Sequence, residues 1–130
     1  MGYVGISINE SPVIARKAGA DLRGAGGKAV KFDANGAIIL CATKGELAAG
    51  ILLLDSDEAN TGDGVTVQVK DIGKAIAGGV INAGAEVTAN AGGKVIAAVA
   101  TNNILGIALQ KATGDGSIID IQITKSGYKA

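Results

Sequence analysis

Two stretches of this chain follow one pattern, and that repetition limits what it can fold into. Lys28 to Ala75 and Ala85 to the C-terminus share their landmarks in the same order. Val30 answers to Val87, Asn35-Gly36 to Gly92-Gly93, Ile38-Ile39 to Val95-Ile96, Gly50-Ile51 to Gly106-Ile107, and Gly62-Asp63-Gly64 to Gly114-Asp115-Gly116. The second stretch is the shorter one, because the loop Asp55-Ser56-Asp57-Glu58-Ala59-Asn60 is trimmed there. Kept strands with drifting connections mark a repeated unit, and a unit of this size buries little core alone, so the two must pack on each other.

The units read as β. Val30 and Phe32 alternate with Lys31 and Asp33, Ala34-Asn35-Gly36 makes a tight turn, and Ile38 to Cys41 returns as a second hairpin strand. Leu47 to Leu54 has helix-forming residues, but its counterpart Ile104 to Leu109 is short and centred on glycine, so both read as strands. Val65, Val67 and Val69, and later Ile119, Ile121 and Ile123, alternate with polar residues at the period of a half-buried strand. The fold class is therefore all-β: a small antiparallel β-barrel or sandwich of two pseudo-repeated β-units, with an extended N-terminal arm. The predicted organisation is an arm and flexible connection over residues 1–27 and a β-domain over 28–130, with repeats at 28–75 and 85–130. Within the arm, Val4, Ile6 and Ile8 alternate as a strand that Pro12 ends. Val13 to Lys31, rich in Ala and Gly, reads as a mobile connection.

Composition then removes chemistry. Histidine is absent, and with it the usual general base, the commonest metal ligand and any Ser-His or Cys-His pair. Tyr3, Phe32 and Tyr128 are the only aromatics, too few for a base-stacking platform. With 12 basic and 12 acidic residues, no global field draws the chain to nucleic acid or an anionic membrane. The basic excess lies before residue 32 and suits an acidic partner surface. Cys41, inside Ile38-Ile39-Leu40-Cys41, reads as a buried small hydrophobe. No signal peptide is read at the N-terminus, and no apolar run approaches the roughly 18 residues of a membrane span. The Gly-Lys pairs at 27–28, 73–74 and 93–94 lack the earlier glycine of a phosphate loop, since Leu22, Gln68 and Thr88 stand there. Asp55, Asp57, Asn60 and Asp63 offer oxygen ligands without EF-hand spacing, with Ala59 and Thr66 at required positions, and read as a solvated loop. Lys94, on a Gly-rich turn, has the placement of a carrier-domain lysine but lacks that motif's flanking residues. The expectation is no enzyme, no cofactor and no metal site.

The order Lys28-Ala-Val-Lys-Phe-Asp33, a turn, Ile38-Ile-Leu40, Ala49-Gly-Ile-Leu52, Gly62-Asp-Gly-Val-Thr-Val-Gln-Val69 and Asp71-Ile-Gly73 resembles the small capsid decoration or cement proteins of tailed bacteriophages. It is more loosely similar to the head decoration protein of lambda-like phages. The resemblance covers about three quarters of the chain. It implies a β-rich structural virion protein, commonly a homotrimer, on the outer capsid surface. There it would bind the major capsid protein at capsomer junctions and stabilise the expanded head, with no nucleic-acid or membrane partner. Given such a partner, the expected capsid-binding residues are Tyr3, Val4, Ile6 and Ile8, adding a strand to a capsid edge, with Arg16 and Lys17 supplying charge complementarity. The alternative is that residues 3–8 complete the protein's own barrel. In function, the alternative is a cellular β-barrel binding or carrier module.

Overall fold

The computed structural model describes residues 11–53 and 59–130, which hold ten strands and no helix. The first five are β1 (Val13–Lys17), β2 (Ala29–Phe32), β3 (Ile38–Leu40), β4 (Gly50–Leu53) and β5 (Gly64–Gln68). They form a sheet in the order β1-β5-β4-β2-β3, antiparallel throughout. The next five are β6 (Asp71–Gly78), β7 (Glu86–Ala89), β8 (Val95–Ala97), β9 (Gly106–Ala108) and β10 (Asp115–Ile123). These run β6-β10-β9-β7-β8 and close into a barrel where β6 meets β8 in parallel, Ala77 opposite Val95. The small β-barrel architecture expected from strand periodicity is what the chain adopts.

Matching side chains perform matching local tasks in the two units. The β2–β3 turn is held by the Asp33 carboxylate, which accepts the Asn35 and Ala37 amides at 2.8 and 3.0 Å. In the β7–β8 turn the Asn90 carbonyl oxygen accepts the Gly92 and Lys94 amides at 2.9 and 3.0 Å. Each turn needs a residue in the left-handed region, supplied by Gly36 at φ 82° and Gly93 at φ 85°. Gly50 and Gly106 open β4 and β9 where neighbouring backbone leaves no room. A Cβ there would lie 2.0 Å from the Gln68 carbonyl oxygen and 2.1 Å from that of Gln122.

Residues 13–27, expected as part of a mobile connection, are built into the first unit. Val13 to Lys17 pair with Gln68 to Gly64 along β5. Leu22 is 1% exposed and packs with Ala18, Ala25, Val30, Ile38, Leu52, Val65 and Val67 in the interior of the first unit. Burying a leucine stabilises by about 1.5 to 3 kcal/mol, enough to hold a loop in which Leu22 is the one large apolar residue. The strand matching β1 is β6. Its inward residues Gly73, Ala75 and Ala77 are small, which hides an eight-residue strand from any hydrophobic count.

The units are joined by only Val69 and Lys70, and they share a core. Ala29, Cys41, Ala48 and Ile51 of the first unit pack with Ala75, Val87, Leu105, Ile119 and Ile123 of the second. Cys41 is fully buried, and burial, aided by the nearby Glu46 charge, pushes its thiol pKa up to about 12. Backbone bonds cross the junction at two places. The strip leading into β2 lies in a seat on the second unit, where the Ile76 amide donates to the Gly27 carbonyl (2.9 Å) and the Ala29 amide to the Gly93 carbonyl (2.6 Å). The β3–β4 loop docks beside it, with the Gly45 amide on the Ala89 carbonyl (2.9 Å) and the Asn103 amide on the Gly45 carbonyl (2.9 Å).

Candidate functional site

With no histidine, no reactive thiol and no clustered acid groups among the described residues to build on, the site follows from backbone geometry: a strand edge that no other described strand pairs. β1 is the outermost strand of the first sheet. The Pro12 carbonyl accepts the Val69 amide and the Ala18 amide reaches the Asp63 carbonyl, so the even-numbered residues direct their backbone groups toward β5. Val13, Ala15 and Lys17 therefore direct theirs away from the sheet. Among the described residues the Ala15 carbonyl is met only by the neighbouring Arg16 guanidinium, at 2.7 Å. Beyond Lys17 the edge is sealed by a single bridge, where Ala18 faces Ile38 and the Gly19 amide donates to the Ile38 carbonyl (2.8 Å).

Between this edge and the β2–β3 turn runs a groove of about 570 Å³ lined by Ala15, Arg16, Lys17, Asn35, Gly36 and Ala37. Its rim is basic. Arg16 and Lys17 are exposed and form no ion pair among the described residues, whereas nearby Arg23 is taken by Asp21 at 2.8 Å. That side-chain bond holds the Asp21 carboxyl at a pKa of about 2. An open edge with a cationic rim offers main-chain hydrogen bonds to an extended segment and favours one carrying acidic groups.

Of the residues expected to contact a partner, Arg16 and Lys17 stand side by side on this rim. Tyr3, Val4, Ile6 and Ile8 lie outside the described residues. Of the opposite wall, Asn35 and Gly36 belong to the predicted turn and Ala37 follows it; nothing local in their sequence says that β1 passes them. The acidic loop is described only from Ala59 on, and there the Asp63 carboxylate accepts the Asn60 amide at 2.9 Å. Lys94, in the β7–β8 turn, pairs with Asp115 at 2.9 Å.

No protein-family model and no curated protein matches the chain. Among solved structures it is similar to the N base of the head fiber gp8.5 of bacteriophage phi29, with a TM-score of 0.64 and 16% identity. The similarity covers 91% of this chain and 98% of that one. At that identity it is a likeness of fold, spanning both β-units.

Proposed function

We propose that the protein is a non-enzymatic structural component of a tailed-phage virion, attached to the outside of the head. The observation that carries this reading is the shared fold with a head fiber base over nearly the full length of both chains. A composition without histidine and a groove along a strand edge that no other described strand pairs support it. In its finer form, the protein binds the major capsid protein at capsomer junctions of the expanded head and braces it, several copies acting together. Linked attachment raises apparent affinity by about two to four orders of magnitude over one copy. Residues 1–12 and the Arg16–Lys17 rim form the contact, the rim chiefly setting the docking rate.

The test is co-sedimentation of the purified protein with expanded heads, together with the temperature at which those heads release DNA. The expected result is saturable binding and a raised release temperature. Arg16→Glu with Lys17→Glu slows association most at low salt, because surface charges are screened beyond about 10 Å at 0.1 M. Heads that take up none of the protein would overturn the reading.

A further inference from the structure

The groove beside β1 has a counterpart on the second unit, and there it is occupied. Lys17 matches Ile76, since each precedes the parallel contact that closes its unit, Ala18 with Ile38 and Ala77 with Val95. Gly36 matches Gly93 in the two turns. On the second unit the Ile76 amide and the Gly93 carbonyl hold Gly27 and Ala29 of the first. A Cβ on Gly93 would lie 2.9 Å from the Ala29 carbonyl oxygen, whereas a Cβ on Gly36 would meet nothing within 4 Å. The same seat is filled on one unit and, among the described residues, bare on the other.

The segment that fills it also has a bare counterpart. Gly27 and Gly84 each donate to the strand across from them, to the Leu52 and Ala108 carbonyls at 2.8 and 2.7 Å. A Cβ added to Gly27, at φ 83°, would lie 3.1 Å from the Ile76 side chain, whereas one added to Gly84, at φ 85°, would meet nothing within 4 Å among the described residues. The Ala29 and Glu86 carbonyls both accept from the returning strand, at 3.2 and 2.8 Å, so the Glu86 amide stands where the Ala29 amide reaches Gly93. The Glu86 carboxylate, now paired with Lys129 at 2.8 Å, would bring negative charge to the Arg16–Lys17 rim.

We infer that the β1 groove receives residues 84–86 of a second copy, repeating between molecules the junction that joins the two units within one. The Lys17 amide donates to the Gly84 carbonyl of that copy, and its Glu86 amide donates to the Gly36 carbonyl. The contact is head-to-tail, so it builds a ring where the rotation closes and a filament where it does not. It does not depend on capsid binding.

Sedimentation velocity of the full chain over a concentration series tests this with two variants. Lys17→Pro removes the groove's donor and Glu86→Pro removes the segment's; the Lys17 amide faces away from β5 and Glu86 is the first residue of β7, two kinds of position where proline is tolerated. The expected result is association that grows with concentration and weakens at least about tenfold in either variant. Mixing the two variants gives dimers and nothing larger, since one keeps the segment and the other the groove. Should a variant misfold, amide exchange at Lys17 and Glu86 in the unaltered chain decides, both slowing together as concentration rises. A chain that stays monomeric, or association unchanged by either proline, overturns the inference. A monomer whose Lys17 amide is protected at every concentration assigns the groove to the chain's own residues 1–10. Protection that appears only on heads assigns it to a capsid strand, which leaves the proposed function standing and this inference overturned.

Discussion

The two units run the same ladder and end differently. The second is a closed barrel, because β6 reaches β8 and the first unit's Gly27 to Ala29 strip lies against the remaining edge. The first stops at one bridge, and among the described residues nothing else pairs the outer edge of β1. Edge exposure here is a property of what the neighbour contributes: three residues in the seat separate a protected edge from an adhesive one.

Substitutions at matched positions measure how far the likeness extends. The largest losses are expected for Gly50→Ala and Gly106→Ala, whose Cβ atoms would lie 2.0 and 2.1 Å from backbone oxygens. Each should cost at least about 3 kcal/mol or prevent folding, as read by urea unfolding. A tolerated alanine at one glycine alone would break the equivalence of β4 and β9. Leu22→Ala and Ile81→Ala, both at residues 1% exposed, should each lose about 2 to 4 kcal/mol. Gly36→Ala, strained but facing open space, should cost about 1 kcal/mol. Gly93→Ala adds a collision with the Ala29 carbonyl and should cost about 2 to 3 kcal/mol. Their difference reports the junction.

Smaller effects come from Lys31 and Thr88, which face Ile39 and Ile96 at corresponding ladder positions. Burial opposes the Glu46 charge, but the Lys31 ammonium and the Thr43 and Ala42 amides outweigh it and hold the carboxyl below its ordinary pKa of 4.5. A depressed pKa contributes stability above the ordinary value and loses it as pH falls through the folded one. Glu46→Gln should therefore cost about 1 kcal/mol at neutral pH, and the gap from the unaltered chain should narrow in acid. Thr88 is fully buried with its hydroxyl unpartnered among the described residues. Thr88→Val should be neutral or stabilise by up to about 1 kcal/mol in thermal unfolding.

Much of the fold could be read from residue order because the informative strands alternate cleanly. Val65 to Val69 and Ile119 to Ile123 carry the period-2 signal, and the paired turns carry their glycines. β1 and β6 escaped for opposite reasons. In Val13–Lys17 the apolar residues Val13, Ile14 and Ala15 are consecutive and do not alternate, and the strand is stabilised by pairing with β5, far along the chain. In Asp71–Gly78 the inward residues are glycine and alanine, since barrel closure leaves room for little else. Arg16 and Lys17 stood out as charge in a basic segment. Their groove did not, because its second wall comes from Asn35 to Ala37 and only the tertiary fold brings the two together.

The strip at Gly27 to Ala29 also bears on how the chain is made. Synthesis proceeds from the N-terminus, and domains generally fold in that order. Everything that shapes the first unit, through Gln68, leaves the ribosome before β6 begins. The edge along Ile76 therefore emerges after the strip that comes to cover it. The sticky side of the second barrel need never meet a stranger during its assembly.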